Sequence, residues 1–240
     1  DVPARPVPNQ GRQSIVRRVP IFPSFWRLTP NVILWSVAGE PIGPRPSAPT
    51  DPLGSLTAVH IVITPFEPLQ ADATTTRVQA EVPIYLGPPP VEVLIVPSVP
   101  SPPGAYNARR RQWDAARLIR WVVEHHRDPT ALNVALHPGD LYVPGFNFVF
   151  GLAEPAYGTC IVGLARLQSP DPERWHHRVL TEILHELGHL MGLEHCATRS
   201  CAMFFSNTIR ETDAKGPAFC PKCQHLIRAY RQRGTPLQRP

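Results

Sequence analysis

The stretch His185-Glu186-Leu187-Gly188-His189-Leu190-Met191-Gly192-Leu193-Glu194-His195 decides how this chain is read. His185 and His189 are four residues apart. On a helix they lie one turn apart on one face, so both rings reach a single metal ion. Glu186 is rotated to the flank, where its carboxylate reaches a water on the metal without being a ligand. Gly192 tolerates positive φ, so the helix can stop there and the chain can turn. That turn brings His195 round as the third ligand. Three protein ligands leave a fourth position open for water, as a catalytic zinc requires. Glu186 is then the expected general base for hydrolysis by the metal-activated water.

The helix carrying this motif is expected over Glu173–Met191, with Pro170 and Pro172 suiting its start. At about 100° per residue, Leu180, Ile183, Leu184, Leu187 and Met191 cluster on one side. His185 and His189 fall opposite, with Arg178 and Glu182. The apolar stripe is expected to dock on a sheet while both histidines face outward into a cleft.

Upstream, Ala58–Pro65 and Val91–Val96 read as strands, being rich in β-branched residues and bounded by proline. Thr75–Leu86 fits a strand or a helix. Gln112–Arg127 reads as one helix, with Ala115, Leu118, Ile119, Val122 and His126 on a single stripe. Leu132–Leu136, Phe146–Gly151 and Cys160–Leu167 read as strands. This order predicts an α/β (α+β) layering of a mixed sheet and helices. After Gly192 the pattern is irregular until a short helix near Gln224–Gln232. Residues 1–56 hold 11 of the 31 prolines, a density that blocks regular helix. Three parts are therefore expected: a proline-rich arm over 1–57, an upper α/β catalytic part over 58–192, and a small irregular Cys-rich lower part over 193–240.

The net charge is +5 and Arg far outnumbers Lys, but the arginines are scattered apart from Arg109, Arg110 and Arg111. With no recognition helix and no aromatic–basic interleaving, nucleic acid is not an expected partner. No apolar run approaches the length of a membrane span. The expected partner is a peptide or protein substrate, and the expected state is a monomer. A cytoplasmic location is expected, a leader removed ahead of Asp1 being the alternative.

Cys196, Cys201, Cys220 and Cys223 fall within 28 residues, while Cys160 stands alone. Four cysteines ending in Cys-x-x-Cys form either a metal site or two disulfides. The run from His185 to Cys196, four residues, Cys201-Ala202-Met203, a loop and Cys220-Pro221-Lys222-Cys223 resembles the archaemetzincins, a family of zinc peptidases of the metzincin clan found in archaea, some bacteria and vertebrates. Further matches are Asn147–Gly151, Ser206-Asn207 with Glu211, and Tyr106 with Arg111-Gln112. The resemblance spans about Tyr106 to Tyr230. It implies a metzincin-like sheet with a backing helix and an active-site helix. It also implies two Zn²⁺ per chain: one catalytic, and one structural on Cys196, Cys201, Cys220 and Cys223. Four thiolates in two close pairs suit a closed tetrahedral site. By the same resemblance Met203 lies in a tight turn beneath the catalytic zinc, and Phe146–Gly151 and Cys160–Leu167 lie near the upper rim of the cleft. A rim strand with a free edge takes an extended peptide by strand addition. The alternative function is a two-zinc scaffold with little turnover. Cys160 reads as a core residue, and His60, His125, His126, His137, His176, His177 and His225 lack ligand spacing.

Overall fold

The computed structural model describes residues 58–233 except 71 and 89. The proline-rich arm expected over 1–57 lies outside the described residues.

In chain order the elements are β1 (Val59–Pro65), α1 (Ala73–Leu86), β2 (Val91–Ile95), β3 (Tyr106–Asn107), β4 (Gln112–Asp114), α2 (Ala115–His125) and β5 (Leu132–His137). They continue with β6 (Leu141–Tyr142), β7 (Gly151–Glu154), β8 (Thr159–Gly163), α3 (Pro172–Leu190), α4 (Ile209–Ala214) and α5 (Pro221–Arg233). The main sheet runs β2-β1-β5-β8-β7, with every pairing parallel except β7 on β8. This is the mixed sheet that was expected.

Strand alternation sorts the core into two layers. Leu132, Val134, Leu136, Cys160 and Val162 face one side and join the apolar faces of α1 and α3. Ala135 and Ile161 face the other side and join Leu118, Ile119 and Val122 of α2. Burying each of those large α2 side chains contributes about 1.5–3 kcal/mol as an upper figure. The sheet is thus sandwiched between α2 and the α1–α3 pair. Cys160, fully buried, is the core residue that was expected.

Several boundaries differ from expectation. Thr75–Leu86 is helical: Asp72 and Thr75 close a reciprocal capping box that starts α1. The helix expected over Gln112–Arg127 starts late, because Gln112–Asp114 pair with Tyr106–Asn107 and Leu141–Tyr142 in a small second sheet. Asp114 then caps α2 by accepting from the Arg117 N–H. Phe146–Gly151 is not a strand. It is an irregular approach to β7, joined to the fold by the Leu141–Val149 bridge. Cys160–Leu167 ends its strand at Gly163 and becomes a 3₁₀ turn over Ala165–Leu167. Before α5 lies a helix that was not expected, α4, started by a Thr208–Glu211 capping box.

Candidate functional site

Asp171 caps α3 through the Glu173 N–H, and the helix runs as expected to the end of the two-histidine motif. Gly192 takes φ 84, the left-handed turn that releases the chain toward His195. The apolar stripe of α3 packs on the sheet. The opposite face is not open to solvent, however. Arg178, Glu182, His185 and Glu186 are buried as well, because α4 and the segment after Gly192 cover that side. A cleft of about 500 Å³ reaches His185, Glu186, His189 and His195.

His185, His189 and His195 each present a ring nitrogen within 4.8 Å of the others. His185 Nδ1 lies 2.7 Å from the Ala202 carbonyl and His189 Nδ1 2.8 Å from that of Leu193. A carbonyl only accepts, so both rings carry their proton on Nδ1 and leave Nε2 bare. The two bare Nε2 atoms are 3.1 Å apart. Two lone pairs that close repel unless a cation lies between them. A tetrahedral zinc with bonds of about 2.0–2.1 Å sets its nitrogens about 3.3 Å apart, so the pair fits zinc. Burial pushes His185 well below the ordinary imidazole range, and His189 and His195 down to about 4. All three are neutral near pH 7, the form a metal needs.

Glu186 lines the same cleft. Burial pushes its carboxyl well up, the Glu182 carboxylate one turn back adds to this, and Lys215 opposes it. β7 passes so close to Glu186 that a Cβ on residue 151 would overlap the Glu186 side chain. The cleft wall also carries Phe148, Phe150, Leu152 and Ala153 from the approach to β7 and from β7 itself. β7 is an edge strand of the sheet. Of the two segments expected at the rim, 146–151 is there, whereas β8 is an inner strand covered by β7.

The second cluster brings together Cys196, Cys201, Cys220 and Cys223, with sulfurs within 4.8 Å of one another. All four are free thiols. Cys196 Sγ and Cys220 Sγ are 3.7 Å apart. Sulfurs around a tetrahedral zinc at about 2.3 Å lie about 3.8 Å from each other. The Cys220 N–H donates to Cys201 Sγ and the Thr198 N–H to Cys196 Sγ, which suits thiolates. Against the opposing effect of burial, hydrogen bonds from the other cysteines bring Cys220 down to about 7. The donor set fits a metal, and the two clusters share no residue.

Met203 is fully buried, its thioether against Gly188 of α3 where a Cβ would stand. Among the histidines set aside, His137 and His176 are buried, and none joins a cluster of metal-binding groups among the described residues. Glu211 caps α4 and Asp213 pairs with Arg178, so both organise the segment between Met203 and Cys220. Three contributors escaped the sequence reading: Gly151, the Ala202 and Leu193 carbonyls, and Lys215. For Lys215 a signal existed. Glu182 stands on the histidine face of α3, and a carboxylate there needs a cation once the face is covered.

A mixed sheet, a helix bearing two histidines and a cleft over three converging neutral imidazoles together form the architecture of a zinc peptidase. Residues 84–229 match Peptidase family M54. The archaemetzincin of Pyrobaculum aerophilum is 55% identical over 118 residues, covering 49% of this chain and 72% of that protein. That of Aeropyrum pernix is 40% identical over 134 residues, covering 54% of this chain and 73% of the relative. The crystal structure of the Methanopyrus kandleri archaemetzincin superposes with a TM-score of 0.66 at 34% identity, covering 72% of this chain and 95% of that one. The chain belongs to peptidase family M54, the archaemetzincins, and is a zinc metallopeptidase that acts on peptides or proteins. Among the described residues no helix is long and apolar enough to cross a membrane.

Proposed function

We propose that His185, His189 and His195 hold the catalytic zinc, that Glu186 is the general base of peptide-bond hydrolysis, and that Cys196, Cys201, Cys220 and Cys223 hold a second, structural zinc. The observation that carries this reading is the meeting of three converging imidazoles with the Glu186 carboxylate in one cleft. Bound there, zinc supplies a charge that lowers the pKa of a water toward about 7 and polarises the scissile carbonyl.

The chain's own residues do the remaining work. The Ala202 and Leu193 carbonyls hold two of the rings in the tautomer that leaves Nε2 bare. Glu186 accepts a proton from the attacking water and delivers it to the leaving amine. The outer edge of β7 offers backbone groups to an extended substrate by strand addition. Met203 floors the site from below. The upper part, 58–192, and the described residues of the lower part, 193–233, form the two sides of the cleft, with the cysteine cluster bracing the lower one.

Glu186→Ala tests the assignment. The variant is expected to keep both zinc ions and to lose turnover of a mixed peptide library by several orders of magnitude. Turnover that survives on the best substrate would remove Glu186 from the mechanism.

A further inference from the structure

Lys215, one of only two lysines in the chain, is almost completely buried, and so is the carboxylate it pairs with. Its Nζ lies 3.2 Å from Glu182 Oε1. It also donates to the Phe204 carbonyl at 3.2 Å and lies 3.4 Å from His185 Nδ1. The Thr212 hydroxyl donates to the same Glu182 oxygen at 3.0 Å. Removing two charges from water costs about as much as their attraction returns, so a pair like this seldom stabilises more than apolar side chains of equal volume. Its position suggests another use. Glu182 is on α3, one turn before His185. Phe204 follows Met203, and Lys215 ends α4.

The two carbonyls flanking Met203 are held from one side. His185 Nδ1–H donates to Ala202 O at 2.7 Å, and the Lys215 ammonium donates to Phe204 O. The first bond orients His185, and it lasts only while the turn stays where it is. The second bond keeps the turn there. The ammonium also stands between the Glu182 carboxylate and the imidazole. The partner of His185 therefore remains a neutral carbonyl and not a carboxylate, which would change the basicity of the ring.

We propose that Lys215, anchored by Glu182, is a positioning residue that clamps the Ala202–Phe204 turn onto α3 and thereby sets the orientation of His185 toward the metal. The clamp rests on the reading of the three histidines as a zinc site. That reading has its own control: His185→Ala should bind one zinc fewer than the parent chain, and equal zinc content would overturn the zinc reading and the clamp with it.

The clamp is tested on the full-length, zinc-loaded chain with Lys215→Met and with Glu182→Gln/Lys215→Met. Affinity for the more readily removed zinc is measured by competition with a chromophoric chelator, beside the melting temperature, kcat and KM. Lys215→Met alone leaves a buried carboxylate without its counter-charge, so it should melt lower. The double variant removes that charge and should melt near the parent. Both should bind the zinc about 10- to 100-fold more weakly, the usual loss when an outer partner of a metal ligand is removed. Both should also lower kcat in zinc-saturated assays, with KM within about twofold of the parent. A double variant with parental zinc affinity and kcat would show the pair to be structural only and would overturn the proposal. So would parental zinc affinity in Lys215→Met.

Discussion

A Cβ placed on Gly151 would collide with the Oε1, Cδ and Cγ atoms of Glu186. The edge strand β7 and the carboxylate proposed for proton transfer are therefore packed too closely for a side chain to stand between them. Gly151→Ala should push the carboxylate aside while leaving the three histidines and the sheet in place. A displacement of about 1 Å in a catalytic group can cost on the order of a hundredfold in rate. The expected result is a kcat lower by about that factor with unchanged zinc content. A variant with parental kcat would show that Glu186 has room to move without consequence.

Gly188 is the floor's counterpart. Alanine is the better helix former by about 1 kcal/mol, so on propensity alone Gly188→Ala should stabilise α3. A Cβ there would strike Met203 Sδ, however, and both residues lie in a packed region. Overpacking of this kind costs about 1–3 kcal/mol, which outweighs the propensity gain. The melting temperature should fall. Gly188→Ala combined with Met203→Ala should recover part of the loss, since the smaller side chain makes room.

The two clusters differ in how they would release metal. The three-histidine cluster is open to the cleft and its imidazoles are neutral, whereas the proposed four-thiolate zinc site would be fully coordinated by protein and closed to substrate. A mild chelator should first abolish activity with one zinc lost and the circular dichroism spectrum unchanged. Cys220→Ser should instead lower the melting temperature, because structural zinc binding contributes directly to folding. Equal melting temperatures for Cys220→Ser and the parent would exclude a structural role for the cluster.

His137 provides an acid-sensitive element away from the metal. It is buried against Phe66 and Trp113, with its Nε2 3.1 Å from Ser101 Oγ and the Gly139 N–H donating to its Nδ1 at 2.9 Å. Burial lowers it to about 4, from the ordinary value of 6.5. A lowered folded-state value means that the unfolded chain takes up a proton that the folded chain refuses. This contribution to stability is complete above about pH 6.5 and is lost as pH falls toward about 4, at roughly 1.4 kcal/mol per unit. His137→Gln should melt with a shallower dependence on pH across that window than the parent, both measured with zinc bound. Parallel curves would contradict the assignment.

The motif at His185 was legible because its chemistry is local: spacing along one helix places two imidazoles and a carboxylate without help from the rest of the chain. The same holds for α2, whose stripe from Ala115 to Val122 is strictly periodic. What the sequence did not disclose depends on partners far away in the chain. Gln112–Asp114 continue the helical stripe of α2, and only pairing with Tyr106–Asn107 and Leu141–Tyr142 draws them into a sheet. Thr75–Leu86 became a helix through the Asp72 cap despite its β-branched start and an internal Pro83. The histidine face of α3 is polar in composition yet buried, because the Glu182–Lys215 and Arg178–Asp213 pairs allow α4 to cover it. Periodicity reports polarity and cannot report a cover built from residues 30 or more positions away.

His195 and Cys196 are neighbours in the chain but belong to different clusters, and the Cys196 N–H donates to the Met203 carbonyl beside both. With both sites loaded, one peptide unit is held from each end. Filling one site would then supply part of the ordering that the other requires, and the two occupancies would form a linked equilibrium. Linkage is reciprocal: whatever factor one ion adds to the other's affinity is returned in full. Under falling zinc supply the three-histidine site would empty first, and the ion kept by the cysteines would leave His195 ordered for reloading.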